Sequence, residues 1–217
     1  MTWLKNMVEY EIVKGGAAIP SAKEAGYRYL LGSNGVFIQA QNPVFNAVVE
    51  VGDSTWRDIP GLQSIEPYIR IKQGLIPETL LHAAHHRMAQ EPDIEMHLQI
   101  VFHENAYHLV FIKSGEAYSV DDIDDADFGQ VVMELHSHTA HMPAFFSRTD
   151  TDHALGFRLY AVIGYVGTEK AQAKIMLGVY GHLVTASYDG TFGGGRNTLV
   201  YPDALPGLVY VAKGGRN

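Results

Sequence analysis

The chain has no cysteine among its 217 residues. That excludes a disulfide framework, a thiolate metal site and a cysteine nucleophile. Any metal must be held by His, Asp or Glu. Positive charge is also scarce: 16 Lys and Arg stand against 24 Asp and Glu, a formal net charge of −8. This balance argues against a nucleic-acid partner, since binders of nucleic acid usually carry a basic patch. Long hydrophobic runs are missing too. No stretch approaches the roughly 20 apolar residues that cross a bilayer. The first residues, MTWLKNMVEYEIVKGG, lack the basic-then-apolar pattern of a signal peptide. A cytoplasmic protein with no membrane partner is expected.

What remains is globular in composition, with 47% hydrophobic and 18% charged residues, enough to build a sizeable core. Three segments are expected. Residues 1–72 form a small β-rich unit, 73–190 the main domain and 191–217 a C-terminal loop and strand extension. GVFIQAQ (35–41), FNAVVEV (45–51) and YIRIK (68–72) read as short strands in the first segment. PETLLHAAHHRMAQ (77–90) places Leu80, Leu81, Ala84 and Met88 at helical spacing, with Pro77 and Glu78 suited to the first turn. On that helix His82, His85 and His86 read as a polar face; no Glu follows His82 to make the H-E-x-x-H protease motif. EMHLQIVF (95–102) and AYHLVFIK (106–113) read as a hairpin, and QVVMELHSH (130–138) as a buried strand. RLYAVIGYV (158–166) and the stretch 173–187 supply further strands. The acidic SVDDIDDADFG (119–129) reads as a solvated loop without EF-hand spacing.

Eleven histidines invite a metal reading, which their spacing must carry. Strand residues i and i+2 point to one face, so His136 and His138 can converge while Ser137 faces away. Ser147 followed by Asp150 is a helix-start signature in which the serine caps and the aspartate completes the box. A strand end, a loop and a helix start can therefore deliver two imidazoles and one carboxylate to one point. Three protein ligands with a fourth position left for water describe catalytic zinc, which lowers the pKa of that water to about 7. A nearby glutamate can move the proton, and a hydroxyl can steady an oxyanion. The bland reading is a helix cap beside core histidines, and the two readings are compatible.

The pattern His136-Ser137-His138, Ser147, Asp150 resembles the JAMM signature of the JAB/MPN metalloprotease family: His-x-His, seven residues, Ser, two residues, Asp. Here eight residues, 139 to 146, fill the gap, and the extra one falls in a Pro-containing loop. The wider stretch HSHTAHMPAFFSRTDTDHALGFRLYAVIG is similar to a prokaryotic subgroup of that family, the one belonging to PRTRC systems, whose cassettes also encode ThiF-related proteins. The resemblance covers roughly residues 76–188. It implies an α+β fold with α/β-type layers: a JAB/MPN-like, cytidine deaminase-like mixed β-sheet flanked by helices, with the small β-rich unit in front. It implies zinc on His136, His138 and Asp150, Ser147 at the oxyanion, and a glutamate on an early strand after the first helix. Glu95 holds that place, although Met96-His97-Leu98 replaces the glycine-rich continuation usual there. Glu134 is the rival, because it shares a strand face with His136 and His138. His141 lies between the ligand pairs and reads as groove-lining or exposed; Asp152 and His153 read as exposed; Phe145 and Phe146 read as a core anchor.

The implied activity is zinc-dependent hydrolysis of a peptide or isopeptide bond by metal-activated water. The substrate is a protein or peptide, extending by resemblance to the C-terminus of a ubiquitin-like protein, and a ThiF-related protein is the implied partner. The alternative is a non-catalytic MPN-like interaction module.

Overall fold

The structure is a computed structural model describing residues 9–22, 26–52, 58–114, 130–193 and 211–212. The acidic loop 119–129, the first eight residues and most of the C-terminal extension, 194–210 and 213–217, lie outside the described residues. The chain divides into two compact units, Met1–Lys72 and Gln73–Asn217.

The first unit holds one five-stranded sheet in the order β1-β2-β3-β4-β5: β1 (Tyr10–Ile12), β2 (Gly26–Gly32), β3 (Gly35–Gln41), β4 (Phe45–Glu50) and β5 (Tyr68–Ile71). All neighbours are antiparallel except β1 and β2. Val13, Leu30, Phe37, Val48 and Ile65 form its buried cluster.

The second unit contains β6 (Ile76–Pro77), α1 (Glu78–Ala89), β7 (Met96–His103), β8 (Ala106–Ser114), β9 (Gln130–Ser137), α2 (Arg148–His153), β10 (Arg158–Gly164), β11 (Gln172–Val179), β12 (His182–Thr185), α3 (Tyr188–Thr191), β13 (Phe192–Gly193) and β14 (Val211–Ala212). Seven strands form a mixed sheet, β12-β11-β10-β9-β7-β8-β14. Strand β9 lies fourth, parallel to β10 and antiparallel to β7. Its apolar residues Val131, Val132, Met133 and Leu135 are buried, as expected of a central strand covered on both faces.

The expectation of a helix-flanked, layered fold is corrected by this architecture, which is mostly β-sheet. Among the described residues there are three helices, and α2 and α3 have only 6 and 4 residues. The reason lies in the connections. Glu104 and Asn105 (φ 47 and 64) close the β7–β8 hairpin, and Tyr180 and Gly181 (φ 49 and 90) close β11–β12. Such two-residue turns with two positive φ values match strand twist and leave no chain for a crossover helix. No described helix is long and apolar enough to cross a membrane.

Helix α1 packs on β7 and β8, and its Leu80, Leu81, Ala84 and Met88 are all buried. His85 is buried with them at 0% exposure, so it does not belong to a polar face. Its Nε2 accepts the Gly167 amide at 3.4 Å. Burial, reinforced by His82 and His86, pushes its pKa from 6.5 down to about 4. Between those values the unfolded chain binds a proton that the native chain refuses, so stability present above pH 6.5 drains as the pH falls towards 4. In urea unfolding, His85→Gln is expected to lose less stability than the parent between pH 7 and pH 5. Equal losses would show that His85 is not neutral in the fold.

Candidate metal centre

Strand β9 carries the first candidate ligand, His136, and the second, His138, follows just past its end. His136 lies on the last turn of the pleat, opposite His97 of β7 and beside Val162 of β10. His138 follows the strand, tied by its own amide to the Ile163 carbonyl at 2.8 Å, and is 4% exposed. Its Nδ1 lies 2.8 Å from the Pro143 carbonyl. A carbonyl only accepts, so Nδ1 carries the proton and Nε2 is left with the lone pair a metal needs. This is the outer-shell device that orients metal-binding histidines.

The Pro143 carbonyl reaches His138 because Gly164 has no side chain. A Cβ there would stand 2.0 Å from the Ala144 nitrogen and 2.2 Å from the Pro143 carbonyl carbon. The loop backbone thus lies directly on the end of β10, and its path sets the tautomer of His138.

The third candidate ligand, Asp150, comes from helix α2. Ser147 caps it: Ser147 Oγ accepts from the Asp150 amide at 3.1 Å, and Asp150 Oδ2 accepts from the Ser147 amide at 2.7 Å. The capping box read from the sequence is present. It divides the carboxylate's work, since Oδ2 holds the helix start while Oδ1 faces His136 Nε2 at 3.6 Å. Ligand atoms of His136, His138 and Asp150 all lie within 4.8 Å of one another, so this group can hold a metal ion. Donors on a tetrahedral ion with bonds of about 2 Å sit about 3.3 Å apart, so rotations moving them by roughly an ångström close the triad. Burial lowers the pKa of His136; Asp150 opposes the shift and His138 adds to it. The shift favours the neutral form of the imidazole, which is the form that ligates.

A cavity of about 280 Å³ opens beside the triad, and its lining includes His136, Asp150, Ser147, Glu95, Glu134 and His97. Glu95 is exposed, immediately before β7. It is held there by the middle residue of His136-Ser137-His138. Ser137, fully buried, accepts from the Met96 amide at 2.9 Å and donates to the Ile94 carbonyl at 3.4 Å. One hydroxyl thus grips the backbone on both sides of Glu95. Glu134 instead pairs with Arg158 at 2.8 Å, which ties its carboxylate to a cation.

The profile of one family, described as "Domain of unknown function (DUF2016)", matches residues 13–60. That match lies within the first unit and does not reach the metal centre. No curated protein matches the chain.

The remaining candidate ligands stand apart from the triad. His141 is exposed and is not among the grouped ligand atoms. Asp152 is exposed beside Arg148, and His153, also exposed, reaches the cavity rim. His82 faces Glu78 at 3.6 Å. Phe145 is not a core anchor: it is 36% exposed and packs edge-on against the His138 ring at 4.5 Å. Two contributors escaped the sequence reading. Ser137 gave no sign beyond its buried parity. His97 sits two residues from Glu95 and so, by alternation, could have been placed on the same face.

Gly164→Ala tests the loop path. Its new methyl meets backbone rather than a movable side chain, so a loss of about 1–3 kcal/mol is expected. Metal affinity, measured by chelator competition on the folded fraction, should fall with it although residue 164 binds no metal. An unchanged affinity would mean that His138 is oriented without Pro143.

Proposed function

We propose that this protein is a zinc-dependent metallopeptidase of JAMM type that hydrolyses a peptide or isopeptide bond. The observation that carries the reading is the grouping of His136, His138 and Asp150 beside a cavity whose lining includes His136, Asp150, Glu95 and Ser147. The donor set favours zinc over magnesium or calcium, which prefer all-oxygen surroundings. When bound, the ion supplies Lewis acidity and makes water a nucleophile near neutral pH.

The chain's own groups supply the rest. Glu95, exposed at the cavity edge and fixed through Ser137, takes a proton from water and returns it to the leaving amine, so the carboxylate ends as it began. Ser147 Oγ uses a lone pair for the Asp150 amide. Its own proton can therefore be donated to the negative oxygen that develops as the carbonyl becomes tetrahedral. Arg158 restrains Glu134, which favours Glu95 as the base. The motif's resemblance to the JAMM signature supports amide chemistry. The likeness to the PRTRC subgroup extends it to the C-terminus of a ubiquitin-like protein, with a ThiF-related partner.

In zinc-loaded protein, Glu95→Gln should retain the metal and lose turnover of a peptide or isopeptide substrate by about 10²- to 10⁴-fold. Glu134→Gln should cost far less. Turnover that survives Glu95→Gln removes Glu95 as the base. A zinc-loaded parent that cleaves neither bond type removes the peptidase reading.

A further inference from the structure

The two histidines of the triad are held differently. His138 is oriented by a hydrogen bond from Nδ1 to Pro143. His136 has no comparable bond to its second nitrogen among the described residues; its Nε2 faces Asp150 at 3.6 Å. It has aromatic neighbours instead. The His97 ring lies 5.5 Å away, inclined by 26°, and the His138 ring lies 5.4 Å away at 51°. The nearly parallel contact is with His97, its register partner on β7. Directly opposed strand residues share a face, so the stack is built into the ladder.

Two further features keep His97 in place. The Ser137 hydroxyl binds the Met96 amide next to it. On its other side the β7–β8 register shifts between His97 and Leu98, so that Ile112 is the extra residue on β8. Bulges of this kind re-aim side chains, and Ile112 and His97 both line the cavity. His97 does not contribute to the grouped ligand atoms.

We infer that His97 is a positioning residue for the metal centre. Its ring stacks on His136 and fixes the plane of that imidazole, taking the role that the Pro143 carbonyl plays for His138. This rests on the reading of His136 as a metal ligand. The role is assigned to the face of the ring, so another flat aromatic should replace it.

The test compares the parent with His97→Gln, which keeps polarity and approximate size but has no ring, and His97→Phe, which keeps a ring without nitrogen. In metal-free protein, the His136 ring protons should move downfield in His97→Gln, as the shielding ring is lost, and stay shielded in His97→Phe. Zinc affinity by chelator competition should fall about 10-fold or more in His97→Gln and stay within about threefold in His97→Phe, the range expected for a group that orients a ligand. The cobalt-loaded visible spectrum should change only in His97→Gln. If the two variants behave alike in the proton spectrum, or if His97→Phe loses zinc as His97→Gln does, the inference is overturned. Should the parent take up no metal while its His136 protons report the stack, the positioning contact stands and the metal reading fails.

Discussion

Everything at the site depends on the two-residue period of β9. As the fourth of seven strands, β9 is gripped on both edges and cannot slip register without turning its buried residues outward. That constraint sends His136 to the cavity and Ser137 into the interior. The outward parity supplies a candidate ligand, and the inward parity fixes the backbone around Glu95. A single short sequence therefore joins the candidate metal group to an acid that lines the neighbouring cavity.

The charge balance of the group follows from its residue types. Two imidazoles ligating as neutral groups and one carboxylate would leave a divalent ion, if bound there, with one net positive charge. Such an ion would be the largest local charge in the site and could polarise a carbonyl and acidify water. Asp150 is held by the reciprocal bonds of a helix cap rather than by a cation, so its negative charge is not already spent. Glu134 shows the contrary case, with Arg158 beside it.

Local signals were legible in the sequence. Apolar alternation marked β3, β4, β7, β8, β9 and β10 to within a few residues, and Ser147 with Asp150 announced a helix start that is present. The helix pattern in 77–90 became α1, with Pro77 just outside as its N-cap. What failed was inference beyond the local chain. Flanking helices were expected from a family resemblance, whereas the two-residue turns at Glu104–Asn105 and Tyr180–Gly181 join strands directly. His85 was assigned to a polar face by residue type, and tertiary packing buried it. The bonds of Ser137 to Ile94 and Met96 span more than 40 residues, and the contact of Gly164 with Pro143 and Ala144 is also tertiary. No periodicity encodes either one.

The most direct measurement is X-ray absorption at the zinc edge of the zinc-loaded chain. Two imidazole nitrogens at about 2.0–2.1 Å, with the remaining positions taken by oxygen, are predicted for an ion held by His136, His138 and Asp150 and open to solvent. An all-oxygen shell, or a shell with three or more imidazoles, contradicts that centre and with it the chemistry assigned to the cavity.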